Sequence, residues 1–397
     1  MKKKLLFVIP SLTSGGGERS LVNLLSHIEY DSYEVDLFLF SHEGLFMEYL
    51  PPEVRVLPVP ESYRLFANSI GKAVGQLALR LQFSLAFSRI LYSLRHRFSG
   101  NTSTREQYNW KYLSRAVPEL SGKYDAAIGF LEKTSTYLVV DKVDAQKKVG
   151  WIHIDYDKMG MDPAFDRSYF DQLDRIVTVS EECAAILHRQ FPEHGHKVDV
   201  MYNIVSPKII RGLADKTSTD VFDRSEGEKV ILSIGRLHPQ KSFDIAIDAC
   251  RRLIDRGYNV QWNIIGEGDE REKLTRLIQE KGLEGKFKLL GLRANPYPYV
   301  RQADIYAQTS QFEGKSIAID EAKILAKPIV VTRFSTAQDQ IEHGAEGLIM
   351  DMNGEDVANG IERLLQDEKL RDRFSERLST LKLGTEDEID KLYEMLE

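Results

Sequence analysis

Apolar and polar positions in this chain fall into two alternating kinds of run. Short apolar blocks at 5–9, 34–40, 54–59, 124–130, 148–154 and 175–180 are separated by stretches in which apolar residues return every three or four positions, as at Leu21, Leu24 and Leu25. The first kind reads as buried strand and the second as amphipathic helix. Alternation of this kind predicts a mainly parallel sheet wrapped by helices, with ligands bound beyond the carboxyl ends of the strands. The pattern resumes at K-V-I-L-S-I-G, ending on Gly235, and continues through Q-W-N-I-I-G, K-F-K-L-L-G, A-D-I-Y-A-Q-T, A-K-P-I-V-V and a last strand-like piece at 346–350 before helical stretches run to Glu397.

Residues 203–227 interrupt the pattern with a proline, several Ser and Thr, and mixed charge, the composition of an interdomain crossing. A chain of 397 residues is too long for one ordinary core. The expected organisation is a first domain over 1–205, a second over 206–380 and a terminal helical segment over 381–397.

The stretch 70–94 is helical in period yet apolar on most sides, leaving a narrow polar stripe at Gln82, Arg89 and Ser93. Charge sharpens this reading. The chain carries a net −7, which speaks against general nucleic-acid binding, but 64–115 holds nine basic residues against the single acid Glu106. An anionic membrane face or a lipid-linked acceptor would suit such a segment; the alternative is a helix pair packed on the first domain with solvated arginines.

With 42% hydrophobic and 28% charged residues the composition is that of a soluble globular protein. Cys183 and Cys250 stand far apart, which excludes a disulfide framework or a C-x-x-C site and fits a reducing cytoplasm. The opening M-K-K-K-L-L-F-V-I-P imitates a signal peptide, but its apolar run ends at Pro10, so it reads as the first strand. No apolar stretch approaches the length of a membrane span.

Candidate chemistry gathers at strand ends. After the first strand, Gly15, Gly16 and Gly17 let the backbone approach a ligand at a helix start, while Ser20 stands where a dinucleotide fingerprint would need a third glycine. His153 closes the strand G-W-I-H. In the second half, Arg236 and Lys241 follow Gly235 in G-R-L-H-P-Q-K: a fixed guanidinium fork and a mobile ammonium suited to a diphosphate. Within 311–332, Glu313 lies in a loop and Glu321 in a helix. Were the segment between them helical, eight residues would set their alpha carbons about 12 Å apart. That favours separate contacts to one extended ligand over a glycosidase acid–base pair, whose carboxyls sit about 5 to 9.5 Å apart. Backbone amides at Gly314, Lys315 and Ser316 would face the same ligand, as anions or sugar hydroxyls require.

The E-x7-E spacing of Glu313 and Glu321, followed by A-K-P-I-V-V and preceded by G-R-L-x-x-x-K, resembles the retaining, nucleotide-sugar-dependent glycosyltransferases of family four. The resemblance implies the GT-B fold: α/β, two Rossmann-like domains facing across a cleft, with the final helix crossing back to the first. It implies that Arg236 and Lys241 grip the donor diphosphate, that Glu313 and the amides after it hold the sugar, that Glu321 binds the ribose, and that His153 lies close to the donor sugar.

It further implies that Gly16 and Gly17 line the cleft, that Leu292 and Arg293 run along the nucleobase, and that Gly266 belongs to the donor-binding set. Tyr297 and Tyr299 read as aromatic packing beside two prolines. Two residues depart from the family pattern: Lys315 replaces a frequent aromatic and would read a sugar hydroxyl or acidic group, and Ala326 replaces a glycine, with an effect expected on helix packing alone.

The expected partners are a nucleoside-diphosphate sugar, UDP-sugar favoured, a saccharide or lipid-linked acceptor, and an anionic membrane surface through 64–115. No nucleic acid, cofactor or metal is expected, since the cationic pair can neutralise a diphosphate without a D-x-D site. The expected location is cytoplasmic and peripheral on the inner membrane face, in surface polysaccharide or glycolipid synthesis. An epimerase or phosphorylase on the same fold, and a non-catalytic partner subunit, are the alternatives.

Overall fold

The computed structural model describes residues 2–13, 15–98, 101–216 and 221–397, with backbone only for 96–98. The side chain of Arg97, in the basic run, and residues 217–220, in the expected crossing, lie outside the described residues. The chain divides into two compact units, one built from the residues up to Thr13 with Gly17–Met201 and Ile389–Glu397, the other from Tyr202–Glu388 together with Gly15 and Gly16.

In the first unit, strands β1 (Lys3–Ile9), β2 (Tyr33–Leu39), β3 (Arg55–Val56), β4 (Lys123–Gly129), β5 (Asp144–Ile152), β6 (Arg175–Thr178) and β7 (Val198–Val200) form one parallel sheet in the order β3-β2-β1-β4-β5-β6-β7. Leu5 to Ile9 are wholly buried, as a central strand covered on both faces must be. The run at 54–59 yields only a two-residue strand, because Pro58 has no N–H to continue the ladder.

The helix Ile389–Leu396 buries Leu392, Met395 and Leu396 in this unit. Lysines of β1 and β5 hold its last turn: Lys3 Nζ donates to the Leu396 carbonyl at 3.2 Å and Lys147 Nζ to that of Met395 at 3.3 Å, an arrangement that also complements the negative end of the helix dipole. Tyr393 stacks on Tyr33 with ring centres 5.0 Å apart.

The stretch 70–94 breaks into two helices, Ile70–Leu79 and Phe83–Phe98, hinged at Arg80–Gln82. Gln82 therefore belongs to a turn and not to a helical stripe. Arg89 turns inward to the carbonyls of Phe66 and Asn68, at 2.7 and 3.0 Å.

In the second unit, β8 (Lys229–Ile234), β9 (Val260–Ile265), β10 (Phe287–Gly291), β11 (Ile305–Gln308), β12 (Ile329–Thr332) and β13 (Leu348–Met350) pair in parallel in the order β10-β9-β8-β11-β12-β13. Trp262, Leu253 and Leu274 fill the core on one face, and Tyr306, Val300, Ile319 and Ile341 that on the other. The expected crossing contains a helix, Pro207–Ala214, whose Ile210 and Ala214 pack with Tyr297, Ile317 and Ile324.

Ala326 alters more than helix packing. After the helix Ile317–Ile324, Ala326 adopts φ +53° while the Lys327 N–H bonds the Ala322 carbonyl at 3.0 Å and the Ala326 N–H that of Lys323 at 2.9 Å. This is the left-handed Schellman stop that glycine adopts without strain. Ala326→Gly should therefore stabilise the protein by about 1 kcal/mol, read from a urea midpoint at unchanged slope; a destabilised variant would contradict the strain.

Candidate functional site

Both sheets reverse strand order at one point, between β1 and β4 in the first unit and between β8 and β11 in the second. Ligands of doubly wound sheets bind beyond the carboxyl ends of the strands at that reversal. In the second unit, the loop after β8 carries Arg236 and Lys241 and the loop after β11 carries Glu313. The strand order thus brings together residues distant in sequence.

Glycine makes the first loop possible. A Cβ on Gly266 would stand 1.9 Å from the Gly235 carbonyl oxygen, and one on Gly235 would stand 3.1 Å from Lys241 Cε. The backbone of 235–236 can therefore lie flat on 266, leaving room for the lysine stem. The Gly266 N–H itself donates to the Gly291 carbonyl at 3.1 Å, so its amide is taken up within the fold.

The two loops are sewn together. The Thr309 hydroxyl donates to the Lys241 carbonyl at 2.9 Å, the Gln311 N–H to that of Gln240 at 2.8 Å, and Gln240 Nε2 to that of Phe312 at 2.8 Å. Gln311 Nε2 donates to Ser242 Oγ at 2.8 Å.

Within this frame Glu313, 7% exposed, accepts three hydrogen bonds on Oε1: from Lys241 Nζ at 2.5 Å, Ser310 Oγ at 2.5 Å and Gln308 Nε2 at 3.0 Å. A charge-assisted bond and two neutral ones fix the carboxylate where a free loop side chain would wander. Arg236 stands exposed in the same loop as Lys241. Its charge, after burial, is a further cause that lowers the pKa of His238.

Glu321, 2% exposed, accepts a hydrogen bond from the Tyr297 hydroxyl at 2.9 Å. Tyr297 therefore packs, as expected of it, and also orients a site carboxylate. Tyr306 lies within reach of the charges of both glutamates. Burial pushes its hydroxyl far above the ordinary range, and the charges of Glu321 and Glu313 push it further. Its hydroxyl and that of Ser316 both donate to Gln308 Oε1, at 3.1 and 3.0 Å.

The Ser316 amide does not face a ligand. It donates to Gln340 Oε1 at 2.9 Å, and Gln340 Nε2 returns a bond to the Ser316 carbonyl at 2.9 Å. An amide side chain thus satisfies the helix start that sequence reasoning left open. Gly314 is buried beside Glu313, and Lys315 places its ammonium 4.5 Å from the centre of the Tyr202 ring. Leu292 is exposed at 38%, and Arg293 bonds the Tyr299 hydroxyl at 2.9 Å and the Leu292 carbonyl at 2.8 Å. Tyr299 also packs edge-on against Phe222.

In the first unit, His153 directly follows β5, its ring 4.7 Å from that of Phe130 and stacked on Trp151 at 5.9 Å. Its backbone N–H donates to Glu132 Oε2 at 3.3 Å, while the ring Nε2 is buried with no partner. Burial pulls its pKa down to about 3, so the ring is neutral at pH 7. Below pH 6.5 the unfolded chain takes up a proton that the native ring refuses. Stability should therefore fall as pH drops from 6.5 toward 3, and His153→Phe should flatten that fall in thermal melts; an identical pH profile would contradict the assignment. A Cβ on Gly17 would come 2.8 Å from Leu131 Cδ2, the movable tip of a side chain, whereas Gly16 has open space around it.

Sequence reasoning missed Gln308, Ser310 and Gln340. Their only signal is position, at a strand end or opposite a helix start, and that becomes readable once the strand order is known.

Residues 215–379 match the family described as glycosyl transferases group 1. Over 213 residues the chain is 28% identical to the N-acetylgalactosamine-N,N'-diacetylbacillosaminyl-diphospho-undecaprenol 4-alpha-N-acetylgalactosaminyltransferase of Campylobacter jejuni, covering 53% of this chain and 56% of that protein. It is 29% identical over 152 residues to the poly(ribitol-phosphate) alpha-N-acetylglucosaminyltransferase of Staphylococcus aureus, covering 38% of this chain and 31% of that one. The chain thus spans about half or less of the length of these curated relatives.

Among solved structures, a point mutant of S. aureus TarM in complex with Fondaparinux, alpha-GlcNAc-glycerol and UDP matches with a TM-score of 0.67 at 16% identity over 100% of both chains. Anabaena Alr3699/HepE in complex with UDP and glucose matches with 0.68 at 18% over 99% of both. These likenesses show the fold, two Rossmann-like parallel-sheet units of the GT-B kind. Residues 215–379, less than half of the chain, are thus similar to the glycosyl transferases group 1 family.

Proposed function

We propose that this protein transfers a hexose-type sugar from a nucleoside-diphosphate sugar, with retention of anomeric configuration, to a saccharide or lipid-linked acceptor in cell-surface polysaccharide synthesis on the inner membrane face. The observation that carries the reading is the Lys241–Glu313 pair at 2.5 Å beside exposed Arg236, at the strand-order reversal of the second unit. Charge accumulates on the leaving diphosphate in the transition state, where preorganised cations act most strongly. Arg236 and Lys241 neutralise it, with no metal in the proposal.

Glu313, held on one oxygen, and the Gly314–Lys315 backbone hold the sugar, and Glu321 takes the ribose hydroxyls. Leu292 and Arg293 run along the base. His153, neutral and with an unpaired Nε2, and the Gly16–Gly17 loop keep the roles toward donor sugar and acceptor that the resemblance implies. UDP is the favoured nucleotide because the solved neighbours named above were crystallised with it.

The ribose contact is tested by nucleotide titration. Glu321→Ala should weaken UDP binding by roughly tenfold or more, about 1.4 kcal/mol, with Tyr297→Phe giving a smaller loss. Unchanged affinity in Glu321→Ala would remove that contact from the reading.

A further inference from the structure

The helix pair Ile70–Leu79 and Phe83–Phe98 carries more apolar surface than its own packing uses. Inside, Leu65, Leu77 and Ala86 are buried together with Val74 and Leu85 against them. Outside, a second apolar set faces solvent: Leu79 is 86% exposed, Leu81 76%, Phe83 62% and Phe87 58%, with Ile70 and Leu94 at 46% each. Six of the ten large hydrophobic residues exposed among the described residues fall within these 25 positions. Scattered exposed leucines need no explanation; a contiguous tip does.

The tip is also built at a cost. Leu81 holds φ +58°, a conformation in which glycine or asparagine would be at ease, yet a leucine stands there pointing outward. On the Phe83–Phe98 helix, Phe83, Phe87 and Leu94 recur at positions that share one face.

The charge around this tip selects the occupant. Residues 62–105 contain no Asp or Glu, and Arg64, Lys72, Arg80 and Arg95 are exposed about the apolar set. Arg80 pairs with Glu61 at 2.5 Å, and Arg95 lies over the Tyr108 ring. A rim that is cationic at Arg64, Lys72 and Arg95, with Arg80 alone answered by Glu61, repels a second copy of itself and complements anionic headgroups lying over acyl chains. None of the described helices is long and apolar enough to cross a bilayer.

We infer that the tip formed by Leu79, Leu81, Phe83 and Phe87 dips into the headgroup–acyl boundary of an anionic membrane, anchoring the first unit peripherally. This sharpens the membrane part of the proposed function and stands on surface chemistry alone, independent of the donor site.

The experiment is co-sedimentation of the full chain with vesicles of pure phosphatidylcholine and of phosphatidylcholine with 30% phosphatidylglycerol, alongside a UDP-binding measurement on the same preparation. Binding should favour the anionic vesicles at least tenfold and weaken with salt. The combined variant Leu79→Ser, Phe83→Ser, Phe87→Ser should lose at least tenfold more while keeping its melting temperature and UDP affinity, since these side chains are exposed. Equal vesicle binding by that variant, or none by the parent protein, would overturn the inference whether or not UDP binds. Self-association that the substitutions abolish, without vesicle binding, would assign the tip to a second copy instead.

Discussion

Lys241→Ala should lower the transfer rate by a factor of about 10² or more, some 2.7 kcal/mol of transition-state stabilisation, while leaving the fold intact. The fold is expected to survive because other bonds hold the same carboxylate and loops. Glu313 Oε1 keeps Gln308 and Ser310 as donors, and the Thr309, Gln311 and Gln240 bonds hold the two loops through backbone atoms. In the proposed reading the rate falls because the ammonium is the mobile charge that leaves Glu313 for a departing diphosphate.

A simpler explanation of any loss is that Glu313 moves when its partner goes. Glu313→Gln separates the two, since it keeps the shape and removes the charge that Lys241 answers. If Lys241 acts on the diphosphate, Lys241→Ala in the Glu313→Gln background still costs most of its factor. Near-normal turnover in Lys241→Ala would sink the diphosphate assignment.

Leu392→Ala should destabilise the first unit by about 2–5 kcal/mol, the range for truncating a buried leucine. Leu392 is fully buried, and its helix is fastened along its length: Tyr393 stacks on Tyr33 and its hydroxyl accepts from the Glu29 N–H at 2.8 Å, while Lys3 and Lys147 hold the last carbonyls. The whole segment therefore acts as part of that unit's core. Urea unfolding followed by tryptophan fluorescence reads the loss, since Trp110 and Trp151 are buried in the same unit. A change below about 1 kcal/mol would mean that the helix rests on the unit without stabilising it.

How much of this was legible depends on where each signal resides. β1 shows itself because a strand buried on both faces must be continuously apolar. β7, three half-buried residues V-D-V, carries no such mark and takes its place only by pairing with β6. The hinge at Arg80–Gln82 has neither glycine nor proline, so where the helix pair breaks is not legible until Leu81 is seen in a left-handed turn.

At the site, Arg236, Lys241, Glu313 and Glu321 can be picked out one by one from residue type and spacing. That Lys241 meets Glu313, 72 positions away, follows from β8 lying next to β11, a fact of strand order that no local pattern contains. The same holds for Ser316, whose amide looks open at a helix start until Gln340 is brought across to close it.

The central claim is a nucleoside-diphosphate site at the ends of β8 and β11. Its most direct test is the melting temperature of the full chain with UDP, GDP, dTDP, ADP and NAD, each at saturating concentration. A ligand at about 100 times its dissociation constant stabilises a protein by roughly 2.7 kcal/mol, a readily seen shift. The account predicts that one nucleoside diphosphate, UDP first, stands clear of the others and that Lys241→Ala with Glu321→Ala erases its shift. A response to NAD alone, or to none of the five, would contradict it.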